Sequence, residues 1–367
     1  MKYQLRTLFV SLLGLALLAW FLLHANLADV FYSIRGASIR ALLMATVLVV
    51  LIMLVRSLRW QYLLAPLGQV SFQVIFRTTM IGLAASNILP ARAGEFLRPY
   101  LLARQEGLSA TSTFATIVIE RILDLVSILL LLGIFVIFSG RHLFLSSNMQ
   151  AVEISAILAM IVTIILGAMM WFSASNPDRI GLFVLKIAKY FPRGLAKSLS
   201  KLAQTFSEGL AVVRAPSVLV VAFICSVVLW LTIAVQVYLV SIAFGIDMLF
   251  TGSFLLQAML AIGVSVPTPG AVGSFHEAYR IGVTTFFGAS NADAVAAALI
   301  LHGISFMPVT ILGILFMMQD GFSSHDTAEY NNNMSSYEVN PAPRSVACPV
   351  GAAVPRVINY QPTPSHS

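Results

Sequence analysis

The sequence predicts an all-α polytopic membrane protein, and three observations predict it. Hydrophobic residues make up 59% of the 367-residue chain and charged residues only 10%, with a mean hydropathy of +0.90. A soluble domain carries about 25% charged residues. Apolar runs near the roughly 20 residues that a helix needs to cross hydrocarbon recur along the chain. Two further apolar regions are interrupted by Pro and Gly at corresponding places. Together these predict an inverted-topology repeat over residues 1–318. Each half runs span-span-hairpin-span, giving six full spans and two re-entrant hairpins.

Leu8–Leu23 is the first expected span, preceded by Lys2 and Arg6. No small-residue cleavage site follows it, so it reads as a retained helix rather than a signal peptide. Ile39–Val55 is the second span, Ala110–Phe138 the third and Ile154–Phe172 the fourth. Val218–Phe244 follows, clean except for Gln236, then Ala292–Met318, which contains His302 and a kinking Pro308. The halves divide at about residues 1–140 and 150–318.

The hairpins are expected at Phe76–Leu102 and Phe254–Phe287. The first is broken at Pro90-Ala91-Arg92-Ala93-Gly94 and the second within VPTPGAVGSFHEAY, residues 266–279. Each flanking piece is short for a crossing, and irregular backbone at membrane depth is tolerated only when buried in protein or lining a wet cavity. Ordinary loops between short helices are the alternative. The matching positions favour hairpins, and paired interrupted segments are the best sequence pointer to a transport site.

Charge supplies the orientation. The net charge is +7. Residues 173–215 hold Arg179, Lys186, Lys189, Arg193, Lys197, Lys201 and Arg214 against Asp178 and Glu208, which places that loop in the cytoplasm. Arg56, Arg59 and Arg77 mark a second cytoplasmic stretch, and Lys2 and Arg6 put the N-terminus inside. These agree only if 76–102 enters and returns on one side. Both termini are then cytoplasmic, in the cell (inner) membrane. Within the loop, Ile180, Val184, Ile187 and Phe191 recur at helical spacing beside the lysines. Such a basic amphipathic segment suits an anionic leaflet surface. The tail 319–367 holds Asn331-Asn332-Asn333 and six prolines from Pro341 to Pro364, and is expected to be disordered.

One helix carries an unusual polar stripe. Thr113, Thr116, Glu120, Asp124 and Ser127 recur at spacings of three and four, so they share a face of 110–138, with Arg121 flanking it. Ionisable groups in a membrane face a bundle interior or a wet cavity. Two uses stand side by side: a structural ion pair with an arginine of the first hairpin, or a ligand site. Arg92, Arg98 and Arg121 offer planar forks of donors that suit phosphate oxygens. Asn87 precedes the first break. Gly94, Gly270 and Gly273, with Pro269, would let a headgroup approach the backbone of the two breaks. Glu95, Glu120, Asp124 and Glu277 can pair the arginines in an empty site or carry protons. His276 and His302 are weaker candidates.

Cys225 and Cys348 are too distant in sequence to define a disulfide framework or a metal spacing. No G-x-S-x-G, H-E-x-x-H, Walker loop or strand-borne GxGxxG is present, so no cofactor, metal or nucleic acid is implied.

NILPARAGE at 87–95, followed by Arg104 and Glu106, leads into ERILD at 120–124. PTPGAVGSFHEA at 267–278 and RSLRWQYLL at 56–64 complete the pattern. These motifs resemble the lysylphosphatidylglycerol synthase transmembrane-region, or flippase-like domain, family over roughly residues 5–318. The second break departs from that family's P-x-P-G-x-x-G-x-x-E by one residue before Glu277. The resemblance implies a multi-pass protein of the cytoplasmic membrane that moves lipids between leaflets or handles lipid-linked intermediates. It carries over Asn87, Arg92, Glu95, Arg98, Glu120, Arg121, Asp124, Gly270, Gly273 and Glu277 as functional residues. A soluble aminoacyl-transferase domain of the kind found in the aminoacyl-phospholipid resistance factors is not recognised here, which argues against lysyl-lipid synthesis. The leading expectation is a lipid flippase or transporter for an anionic phospholipid or lipid-linked phosphate. The alternatives are a lipid-phosphate transferase using Glu120 or Asp124 as base, and a membrane scaffold or accessory subunit.

Overall fold

The computed structural model describes residues 26–89, 92–143, 216–266 and 268–320, with Leu18, Ala19, Phe21, Leu23 and Ile161. Every regular element among them is helical. In chain order they are α1 (Leu27–Gly36), α2 (Ile39–Leu64), α3 (Phe72–Ile88), α4 (Gly94–Glu106) and α5 (Ala110–Leu143). After the undescribed stretch come α6 (Pro216–Ala243), α7 (Gly252–Ser265), α8 (Ser274–Phe287) and α9 (Asn291–Gln319), with a short 3-10 turn at Pro269–Ala271.

Among the described residues four helices are long and apolar enough to cross a membrane: Ile39–Leu64, Ala110–Phe138, Ser217–Ala243 and Asn291–Gln319. The outer face of α2 exposes Ile39, Leu43, Val47, Val50 and Leu54. An apolar face of this extent is stable against lipid and not against water. The chain is a multi-pass membrane protein. The expected spans Leu8–Leu23 and Ile154–Phe172 fall largely or wholly outside the described residues, as do the basic loop 173–215 and the tail beyond Asp320.

Both interrupted regions form hairpins of two short helices. In the first, α3 and α4 pack antiparallel at glycine. A Cβ on Gly94 would collide with the Gly82 carbonyl and the Ser86 backbone, and one on Gly82 would lie 2.6 Å from the Arg98 Cβ. In the second, α7 and α8 do the same: a Cβ on Gly263 would lie 2.7 Å from the Ala278 Cβ, and one on Gly282 would lie 2.6 Å from Leu256 Cδ2. The second break is shorter than the sequence led us to expect, since α8 begins at Ser274.

The two breaks share a pattern. Pro90, Gly94, Phe96 and Tyr100 match Pro269, Gly273, Phe275 and Tyr279 at identical spacing. Arg92 and Ala271, at the same register between them, both have left-handed backbone, φ 55° and 54°. Packing follows a matching scheme. α2 lies on α6; α3 lies on α9 and α7 on α5; α4 lies on α5 and α8 on α9. A core of Val240, Tyr279, Val283 and the small-residue run Ala294–Ala298 joins α6, α8 and α9. A second core of Trp60, Leu63, Ile75, Leu102 and Leu123 joins α2 to α5.

One expectation needs correcting. The second span does not end at Val55: α2 continues as one helix to Leu64. Arg59 is therefore fully buried in the bundle and Arg56 lies partly buried beside it. Neither marks a cytoplasmic loop. Leu58, Trp60, Leu63 and Leu64 continue the apolar character past the arginines, and the cations are stabilised by partners on a distant helix.

Candidate functional site

The polar stripe of α5 faces inward. Thr113, Thr116, Glu120 and Ser127 are fully buried and Asp124 nearly so. Arg59 of α2 reaches across to both acids. Its Nη2 lies 2.9 Å from Glu120 Oε1 and its Nη1 lies 2.5 Å from Asp124 Oδ1. The same Nη1 donates to Ser226 Oγ of α6 at 2.8 Å. Arg98 of α4 donates from Nη1 to both Glu120 oxygens at 3.2 Å. Its guanidinium stacks 3.7 Å above the ring of Trp60. Trp60 is itself fixed by an Nε1–H donated to Thr116 Oγ1 at 3.0 Å. Arg121 Nη2 lies 2.9 Å from Glu120 Oε1 and 3.3 Å from Asp124 Oδ2. Trp230 of α6 donates Nε1–H to Asp124 Oδ1 at 2.9 Å. Four helices thus converge on two carboxylates.

This network borders a cavity of about 270 Å3. Arg56, Arg98, Arg121 and Asp124 line it, with Arg92 and Glu95 of the first break, which pair at 3.2 Å. The rest of the lining is uncharged, with Val49, Ile52, Leu83 and Ile117 from the first half and Leu260, Val264, Phe275, Phe306 and Val309 from the second. Several donors are buried without a partner: Arg98 Nε and Nη2, Arg121 Nε and Arg59 Nε. Ser86 Oγ, from a residue lining the cavity, is another.

Of the residues singled out from sequence, Asn87, Arg92, Gly94, Glu95 and Arg98 line the cavity, as do Arg121, Asp124 and Gly270. Glu120 lies directly behind them at the centre of the ion pairs. Asn87 donates Nδ2–H to Thr310 Oγ1 of α9 at 2.8 Å, tying the first hairpin to the last helix. A Cβ on Gly270 would lie 3.2 Å from the Asn87 carbonyl, so the two breaks meet. His302 Nε2 is 2.8 Å from the Gly270 carbonyl and braces that turn.

Pro269, Gly273, His276 and Glu277 do not line the cavity. His276 is buried, accepts the Gly273 N–H at Nδ1 (3.2 Å) and packs its ring 4.6 Å from that of His302. Glu277 pairs with Arg280 one turn along α8, and Arg280 Nη1 donates to Asn291 at 3.1 Å. The expectation that Glu277 pairs a site arginine is corrected: a cation sits three residues away on its own helix. Arg56, Arg59, Trp60, Ser226 and Trp230 are the members that the site assignment from sequence missed. The arginines and Trp60 stood in the RSLRWQYLL motif, and their signal was helical spacing continuing an apolar run.

The chain is similar in sequence to known proteins. A UPF0104 membrane protein of Methanothermobacter thermautotrophicus is 26% identical over 82% of this chain and 92% of its own length. One from Methanocaldococcus jannaschii is 27% identical over 75% and 83%. The glycosyltransferase AglD of Haloferax volcanii is 22% identical over 83% of this chain and 52% of its own. The profile described as the lysylphosphatidylglycerol synthase TM region matches residues 7–313, and the chain belongs to that family.

Proposed function

We propose that the protein moves an anionic, phosphate-bearing lipid between the leaflets of the cell membrane, holding its headgroup in the cavity. The observation that carries this reading is the mixed lining of the cavity, where guanidinium groups with unpartnered donors stand beside many apolar side chains. A lipid phosphate with its hydrocarbon chain combines the same two characters, and arginine forks are suited to phosphate oxygens.

The topology of the reading is span-span-hairpin-span taken twice with opposite orientation, six spans in all, with both hairpins re-entrant. The matched breaks and the reciprocal packing of α3 on α9 and α7 on α5 support it. Transporters built from inverted repeats place substrate near the midplane, where interrupted helices meet. Both termini are cytoplasmic in this scheme, on the strength of Lys2, Arg6 and the loop 173–215 alone.

The AglD relative is named a glycosyltransferase, and the second reading is accordingly group transfer, here onto or from a lipid-phosphate substrate. A base must stand against the group it deprotonates, however. Glu120 does not line the cavity, and both oxygens of Asp124 are already engaged by arginines within 3.5 Å, which supports transport over transfer.

The test is reconstitution into vesicles holding a fluorescent phosphate-headgroup lipid, with a membrane-impermeant quencher added outside. Transport predicts faster quenching of the inner-leaflet lipid than in protein-free vesicles, with the lipid chemically unchanged by mass spectrometry. Quenching at the protein-free rate would reject transport of that lipid, and an altered product would favour the transferase reading.

A further inference from the structure

The charge balance at the cavity names the headgroup more closely, an inference that rests on the lipid-phosphate reading. Four guanidinium groups, those of Arg56, Arg59, Arg98 and Arg121, gather around two carboxylates, Glu120 and Asp124. Arg92 and Glu95 face the same space and cancel each other. No lining residue from α6, α7, α8 or α9 is charged. The cluster therefore holds two more positive charges than its own acids neutralise.

The excess has a visible location. Arg56 lines the cavity and makes no ion pair or hydrogen bond among the described residues. Arg98 spends one nitrogen on Glu120 and keeps Nε and Nη2, the two-donor edge of its fork, buried and unpartnered. Uncompensated charge inside a membrane protein is unfavourable, and a bound counter-ion relieves it.

Headgroups differ in how much of the excess they remove. A zwitterion removes none and a phosphodiester removes one charge. A phosphate monoester carries close to two negative charges at neutral pH, and a diphosphate carries at least two. Either presents several acceptor oxygens at one end of a chain. We infer that the cavity selects a lipid ending in a doubly charged phosphate, a monoester or diphosphate, over phosphodiester and zwitterionic lipids.

The experiment uses the full chain in phosphatidylcholine nanodiscs, with retained lipid measured by native mass spectrometry. Phosphatidic acid and phosphatidylglycerol of identical chains are the probes, and inorganic pyrophosphate is the soluble competitor. The expected result is retention of phosphatidic acid about tenfold above phosphatidylglycerol, in line with one further ionic contact. In Arg56→Gln, which unpairs no carboxylate, the ratio falls to about threefold or less. Equal retention of the two lipids by the wild type overturns the inference and leaves the lipid reading standing. Retention of neither above phosphatidylcholine overturns both. Displacement of phosphatidic acid by equimolar pyrophosphate overturns the lipid assignment and identifies a free-phosphate site.

Discussion

The Arg59 guanidinium stands 2.9 Å from the Glu120 carboxylate, and neither side chain is reached by solvent. The two come from different helices of the first half, and the contact closes α2 onto α5. Removing one partner of a buried pair leaves the other charged and unsolvated, which costs far more than the pair contributes. Arg59→Met exposes two acids to that penalty, Glu120 and Asp124. It is expected to destabilise the protein by about 3–5 kcal/mol. Thermal unfolding of the purified protein measures this, and a loss below about 1 kcal/mol would mean that Arg98 and Arg121 neutralise both acids unaided.

Two glycines are expected to behave oppositely when a methyl group is added. At Gly94 the new carbon meets the Gly82 carbonyl and the backbone of Ser86, which are rigid parts of the facing leg. Gly94→Ala forces the hairpin legs apart and is expected to cost at least about 1–3 kcal/mol. At Gly133, inside α5, nothing lies within 4 Å of the added carbon. Gly133→Ala is expected to stabilise by up to about 1 kcal/mol through helix propensity alone. Melting temperatures of the pair separate steric closeness of the hairpin from any general sensitivity to glycine replacement.

Glu277→Gln is expected to leave lipid retention within twofold of wild type. Its carboxylate is taken by Arg280 at i+3, part-exposed and away from the cavity. Partly exposed pairs of this kind contribute about 1 kcal/mol or less, so stability is also expected to change little. Lipid retention that fell as far as in Arg98→Gln would place Glu277 in the headgroup site after all.

The contrast between Glu277 and Arg59 shows what a sequence does and does not make legible here. The stripe from Thr113 to Ser127 was readable because polar residues at helical spacing inside an apolar run have one physical use, an inward face. The hairpins were readable because Pro and Gly interrupt apolar runs too short to cross. Arg56 and Arg59 were misplaced because a cation near the end of an apolar run looks the same whether it meets headgroups or a buried acid. The difference lies in Glu120 and Asp124, some sixty residues on. Glu277 erred the other way: its partner was three residues off, and local pairing along a helix was set aside for a distant one.

Asn87 poses a question that two variants answer together. It lines the cavity and also donates to Thr310 Oγ1 at 2.8 Å. As a tie between α3 and α9 it would act only through that bond. Asn87→Ala and Thr310→Val would then each cost about 0.5–1.5 kcal/mol, and the double variant would cost little more than either. Their effects on lipid retention would be equal as well, since both free the same pair of helices. A headgroup contact changes only one arm, because Thr310 does not line the cavity. We expect Asn87→Ala to reduce retention several-fold more than Thr310→Val at matched stability. Equal losses would reduce Asn87 to a structural tie and leave headgroup binding to the arginines.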